Sequence, residues 1–311
     1  MNECLIIKRV SNDFDMFVIK SITSFCPKCD VMDVFEFKGR LGRKFISIAK
    51  KQDLIDKVPF LLKLNKKTIK QYSTIVLFDD YPDLPLIKWI RDNNPNCEIK
   101  MWFWNVPEYT IDEYRKYASL YCFDRHYCEK NNIKFEEQFF FESCVDDYIN
   151  HSIERDLLYI GVDKNRQNII KSIADEAELY DIDYQFILVR NGAKNQINYD
   201  DGRIQIYNNP VSYEDVLIED SKSRAILEIV KDNQTGLTWR ALESLYLRRK
   251  LVTNNHHIKH TKLYNPHNIF ILGIDENREL KRFIESPYQE ADADLLYEFS
   301  FSRWAKNMGI V

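Results

Sequence analysis

Two short stretches of this 311-residue chain have the residue types of an anion site. The first is Gln234, Thr235, Gly236, Leu237 and Thr238, a small polar loop with one glycine. Behind it Trp239, Leu242, Leu245 and Tyr246 recur at helical spacing. A loop of this kind opening a helix leaves backbone N–H groups and the positive end of the helix dipole facing outward, which suits a phosphate. An ordinary N-capped helix carries the same signature. The second stretch follows the apolar strand 156–163 (DLLYIGVD) and holds Gly161, Asp163, Lys164 and Arg166. Glycine lets backbone approach a ligand, and Lys164 and Arg166 can neutralise a diphosphate. The alternative is solvated charge on a strand–helix turn. Arg240 lies one turn into the first helix, in reach of the same phosphates, and Glu243 follows at i+3 on the same face.

A second chemistry needs a carboxylate or imidazole placed to take a proton. Asp79 and Asp80 end the buried strand STIVLFDD (73–80) and have the chemistry and placement of such a base. Glu108, past the aromatic strand 97–105, and His126 are alternatives. Metal patterns are weak. Cys26 and Cys29 form a lone CxxC with no second pair at a usual spacing. Seven cysteines at irregular spacing read as free thiols, not as a disulfide framework. His256, His257 and His260 have no acid or cysteine beside them and read as a solvated loop.

The elements that must position these residues alternate. Strands are expected at 4–10, 73–80, 97–105, 120–125 and 134–141, with helices at 84–94 and 111–118 and a basic helical pattern in 42–71. After a polar join near 144–155, strands are expected at 156–163, 183–190, 203–209, 224–230, 250–255 and 268–273, with helices at 166–180, 213–222 and 236–248. An aromatic amphipathic helix closes the chain. Such alternation predicts α/β architecture with parallel sheets and βαβ crossovers. The expected domains are 1–150, 151–290 and a terminal helix, 291–311.

The residues of 226–255, ILEIVKDNQTGLTWRALESLYLRRKLVTNN, resemble the donor-binding segment of GT-B glycosyltransferases. Gly236 and Glu243 match that pattern's glycine and second glutamate. Its first glutamate falls on Thr235, so the glutamate pair is broken. The stretch is similar to small bacterial glycosyltransferase-like proteins of lipopolysaccharide-core and capsule gene sets. The likeness extends to 157–166, 264–273 and 285–288, so it spans most of 156–300. It implies a GT-B-like fold: two Rossmann-like domains facing across a cleft, with a C-terminal helix crossing back to the first. It implies that the second half binds a nucleotide-sugar through Gly161, Lys164, Arg166, the 234–238 loop, Arg240 and Glu243, the last accepting ribose hydroxyls. The first half would bind the acceptor and supply a base from Asp79 or Asp80. The nucleotide-sugar is a substrate, and no cofactor is expected. No metal is demanded: FDDYPD (78–83) has only a faint look of the Asp-x-Asp of cation-dependent enzymes, and a helix N-terminus with basic side chains can hold a leaving diphosphate.

Charge is unevenly spread. Residues 38–70 hold eleven Lys/Arg against two Asp, a local +9 in a chain of net −4. The expected partner there is an anionic glycolipid or polysaccharide acceptor, with contact to the inner membrane surface; the alternative is a solvated lysine-rich helix. Nucleic acid is not expected, since the pI is near 5.9 and no nucleic-acid motif occurs. No apolar run approaches the ~20 residues of a membrane span, and the opening sequence is unlike a signal peptide. A cytoplasmic protein, peripheral on the inner leaflet, is therefore expected. The expected function is transfer of a sugar to a lipopolysaccharide-core, capsule or O-antigen precursor. Two alternatives use the same fold: a sugar-nucleotide epimerase or hydrolase, which consumes donor alone, and a non-catalytic sugar-nucleotide-binding assembly protein, which leaves donor intact. A two-lobed periplasmic binding protein is disfavoured by the opening sequence.

Overall fold

The computed structural model describes residues 3–33, 64–79, 84–164, 166–190, 204–231 and 234–311. Most of the basic stretch 38–70, Asp80 and Asn165 lie outside them. The chain forms two units: residues 1–137 with 302–311, and residues 138–301. Each is built on one six-stranded parallel sheet.

In the first unit the strands are β1 (Cys4–Ile7), β2 (Cys29–Met32), β3 (Thr74–Phe78), β4 (Glu98–Phe103), β5 (Ser119–Cys122) and β6 (Lys134–Phe135), in the order β2-β1-β3-β4-β5-β6. Their continuous apolar runs fit a sheet covered on both faces: Leu5, Ile6, Ile7, Ile75, Val76 and Leu77 are fully buried. Asn12 opens the helix Asp13–Phe25 through a reciprocal capping box with Asp15. The helices Leu84–Asn93 and Arg125–Asn131 make the β3–β4 and β5–β6 crossovers.

The second unit carries β7 (Arg155–Val162), β8 (Tyr184–Val189), β9 (Ile204–Tyr207), β10 (Ser223–Glu228), β11 (Lys250–Thr253) and β12 (Ile269–Ile271). Their order, β12-β11-β10-β7-β8-β9, is that of the doubly wound dinucleotide-binding sheet. The helices Gln167–Leu179, Tyr213–Ser221, Trp239–Tyr246 and Leu280–Glu285 pack on it. A core of Leu157, Ile170, Ala174, Phe186 and Leu227, all fully buried, joins sheet to helix.

Four local expectations are corrected. The helix expected at 111–118 is a short 3-10 turn, Tyr114–Lys116. The strand expected at 134–141 ends at Phe135, because Phe139, Phe140 and Phe141 leave the ladder for an aromatic cluster with Trp239, Tyr246 and Phe301. The division of the chain falls after Glu137, where a join near 144–155 was expected. The terminal helix is two pieces, Ala293–Glu298 and Phe301–Asn307. From Ser302 the chain belongs to the first unit. There Trp304 packs edge-on against Trp102 at 5.6 Å, Lys100 donates to the Met308 carbonyl at 2.8 Å, and Arg303 pairs with Glu136 at 2.6 Å.

Candidate functional site

Strand order reverses between β7 and β10 in the second unit, and the crevice at the carboxyl ends of such strands is where open α/β sheets take ligands. β7 ends at Val162 and leads into Asp163, Lys164 and Arg166; β10 ends at Glu228 and leads into Lys231 and the 234–238 loop. The topology thus gathers both predicted anion stretches at one end of one sheet.

Glu228 organises this end. It is 3% exposed. Thr238 and Thr253 each donate a short hydroxyl hydrogen bond to its carboxylate, one oxygen each. Burial pushes its pKa up, opposed by the two hydroxyls and by Arg240 and Arg166. Thr238 also caps the helix Trp239–Tyr246, accepting the Ala241 N–H at 3.2 Å. One carboxylate therefore fixes the cap residue that aims the helix N-terminus. The rest of the loop is tied by backbone: the Gln234 N–H donates to the Lys231 carbonyl at 3.0 Å, and Gly236 is buried with its carbonyl 3.5 Å from the Asn255 amide.

Cations collect beside the loop. Arg166 donates to the Tyr159 hydroxyl at 3.4 Å. Desolvation of the Lys164 ammonium by its neighbours, then the like charges of Arg166 and Lys231, lower its pKa, although the residue as a whole keeps solvent access. A site that already strains to hold its positive charges gains when an anion arrives. Gly161 has a role the sequence reading missed. A Cβ there would lie 2.6 Å from the Tyr159 hydroxyl, so the glycine makes room for the tyrosine that steadies Arg166.

Arg240 and Glu243 sit deeper than expected. Arg240 places Nη1 2.9 Å from both Asp220 oxygens, and its Nη2 donates to the Ile160 carbonyl at 2.9 Å. Its guanidinium is a strut between the helix, β7 and the helix Tyr213–Ser221. Burial pushes the fully buried Asp220 up to about 7, against the pull of Arg240 and with the push of Glu243. Glu243 is 2% exposed, not on a solvated face. Tyr213 donates to its Oε1 at 2.6 Å, and the indole of Trp239 donates to Tyr213 at 2.5 Å. Oε2 lies 3.7 Å from Arg240 and has no hydrogen-bond partner among the described residues.

The first unit has its own reversal, between β1 and β3. Lys8 follows β1, is 2% exposed, and pairs with Asp15 at 2.9 Å. Burial opposes ionisation of Asp15, but Lys8 and the Ser11 hydroxyl and N–H outweigh it and hold the carboxyl below its usual range. Asp79 follows β3; its two oxygens accept the N–H groups of Trp104 and Asn105, each at 3.1 Å. Trp104 lies against Phe14 (6.0 Å) and Phe78 (5.3 Å). The alternative bases Glu108 and His126 are both exposed.

Sequence reasoning passed over Glu228, Thr253, Asp220, Tyr159 and Lys8. For Glu228 the signal was a lone charge inside an apolar strand, AILEIV; Lys8, beside Arg9 at the end of CLII, gave none. Cys26 and Cys29 are buried thiols, and His256 and His257 are exposed on a 3-10 turn, His256–His260.

No family model and no curated protein matches this chain. Solved structures do. An alpha-glucosyltransferase in complex with UDP-glucose and DNA containing an abasic site is similar over 98% of this chain and 98% of its own, with TM-score 0.58 and 13% identity. The Methanocaldococcus jannaschii UDP-GlcNAc 2-epimerase, in complex with UDP-GlcNAc and UDP, is similar over 98% and 99%, with TM-score 0.50 and 10% identity. Anabaena HepE in complex with UDP is similar over 90% and 88%, with TM-score 0.52 and 10% identity. At such identities the likeness establishes the fold, which is GT-B.

Proposed function

We propose that this chain is a glycosyltransferase that takes a sugar from a nucleotide-sugar and passes it to a lipopolysaccharide-core, capsule or O-antigen precursor. The observation that supports this most is the meeting of Lys164, Arg166 and the capped 234–238 loop at the strand reversal of a GT-B sheet. In this reading the loop N–H groups and the two cations hold the diphosphate and stabilise it as it leaves, with no metal ion required. Glu243, whose buried Oε2 faces Arg240 at 3.7 Å, is assigned to the ribose hydroxyls. Arg240 serves the site by position, holding Glu243 and the β7 end together. The acceptor binds the first unit, with Asp79 or Asp80 as base, and 38–70 engages its anionic groups at the inner face of the cytoplasmic membrane.

A second reading has a specific support: an epimerase is among the similar structures, and an epimerase needs no acceptor. Other similar structures hold DNA, so DNA belongs in the acceptor panel. The full chain is titrated by calorimetry with UDP and UDP-sugars, then incubated with donor alone, with donor and core oligosaccharide, and with donor and duplex DNA. Glycosyl transfer requires donor loss that depends on acceptor. Equal donor loss without acceptor sustains the epimerase or hydrolase reading, and intact donor under every condition sustains a binding protein. Glu243→Gln should weaken UDP binding roughly tenfold to a hundredfold, the worth of a charge-assisted pair of hydrogen bonds. Wild-type affinity in that variant removes Glu243 from the site.

A further inference from the structure

The lone CxxC of the sequence meets a third cysteine in the first unit. Cys26 is the C-cap of the helix Asp13–Phe25. Pro27 and Lys28 then turn the chain so that the Cys29 N–H donates to the Cys26 carbonyl at 2.9 Å. A turn of this kind brings its end Cα atoms within about 7 Å, close to the roughly 4.4–6.8 Å that a disulfide spans. Cys29 opens β2, and its in-register partner on β1 is Cys4. The three thiols thus gather at the amino ends of two adjacent strands, away from the crevice at the carboxyl ends.

Cys29 is the middle thiol, within hydrogen-bond reach of both Cys26 and Cys4. Their S–H groups pull its pKa down against the opposing effect of burial, while the same contacts, joined by burial, push Cys26 and Cys4 up. One thiolate therefore forms between two donors, and the thiolate is the nucleophile. Cys26 is 2%, Cys29 5% and Cys4 6% exposed, too little for a bulky reagent. Yet β2 is four residues long and lies at the edge of the described sheet, so a small oxidant enters by local opening. Cys122 and Cys128 are the contrast. Cys122 is 0% exposed on the internal strand β5, and its thiol neighbour among the described residues is Cys128 alone.

We propose that Cys26 and Cys29 are an oxidation site for hydrogen peroxide that closes into a disulfide. The Cys29 thiolate attacks one peroxide oxygen and the O–O bond breaks. The departing hydroxide takes up the proton that Cys29 released and leaves as water, with a sulfenic acid formed on Cys29. The Cys26 sulfur then displaces the sulfenic hydroxyl, which leaves with the Cys26 proton as a second water. The two thiols lose two electrons and the one peroxide gains them. Cys4 acts by position, its S–H steadying the Cys29 thiolate.

The test treats the reduced full chain with hydrogen peroxide, blocks the remaining thiols with N-ethylmaleimide in denaturant, and reads the tryptic peptides by mass spectrometry. The peptide ending at Lys28 should be joined to the one beginning at Cys29, and dithiothreitol should part them. Cys122 and Cys128 should carry the maleimide label. Cys4→Ala removes one donor and should slow closure of the same link about tenfold, the loss of thiolate for a one-unit rise in pKa; a melting curve verifies its fold. The wild-type measurement needs no variant: maleimide on Cys26 and Cys29 after peroxide as complete as on Cys122 would end the proposal. A link from Cys29 to Cys4 in place of Cys26 would overturn the pairing. Equal linkage of Cys122 to Cys128 would overturn it as a distinct site, since peroxide would then join any touching thiols. Closure in Cys4→Ala as fast as in the wild type would remove Cys4 from the step.

Discussion

The two strand reversals of this chain are built alike and charged differently. In the first unit, the described acids near the β1–β3 reversal accept hydrogen bonds from neighbouring groups of the same unit. Asp15 takes Lys8 and the Ser11 N–H and hydroxyl, and Asp79 takes two backbone N–H groups. What is left half-buried is aromatic, Phe14 and Trp104. In the second unit the acids are sunk beneath the surface, Asp220 at 0% and Glu228 at 3% exposure, while Lys164 stays exposed and crowded by its own kind. A strand reversal can therefore offer an aromatic surface or a positive one. The choice rests on whether the ionisable residues after each strand are paired locally or held in reserve.

The comparison breaks most visibly at the strut of the second unit. Arg240→Met leaves the buried Asp220 without its partner and should cost about 3–5 kcal/mol of stability, read by urea unfolding. A loss under about 1 kcal/mol would mean that the strut is not what holds the β7 end to the helix. A smaller and more selective effect should separate the two reversals. Arg166→Ala should weaken UDP binding roughly tenfold or more while leaving acceptor KM alone. Trp104→Ala should do the converse, raising acceptor KM by the about 0.5–1.5 kcal/mol typical of an aromatic contact. If both variants lost donor affinity equally, the division of labour would be wrong.

A further test is a pair of opposed pH dependences. Asp15 has a lowered pKa, so its contribution is full above the unfolded value, ~3.9, and is lost as pH falls below it. Asp220 is pushed up to about 7. The native state then binds that proton more tightly than the unfolded chain, so stability falls as pH rises from ~4 to 7, by at most about 1.4 kcal/mol per pH unit. Melting temperature against pH should show that decline in the wild type and a flatter profile in Asp220→Asn. An identical slope in both would place the titration elsewhere.

Much of the fold was legible because parallel strands buried on both faces must be written as apolar runs, as in LLYIGV and TIVLF. The helix Asp13–Phe25 was not, because its start lies in polar Ser11-Asn12-Asp13, whose capping box becomes visible only when Asp15 is seen reaching back. Within the candidate site, loop position and cation identity could be read locally, since both follow a strand end. The second role of Gly161 and the depth of Glu243 could not. They depend on Tyr159 and Tyr213, whose side chains arrive from two residues and thirty residues away in sequence.

The placement of Trp304 bears on how this protein is made. Its indole completes an aromatic core begun by Phe78 and Trp102, so the first unit cannot close until a segment about two hundred residues later has left the ribosome. Such a long closure costs little extra entropy, since the penalty grows only with the logarithm of loop length, and folding of residues 138–301 shortens it further. The order of synthesis is thus inverted in the order of completion: the unit translated first is finished last.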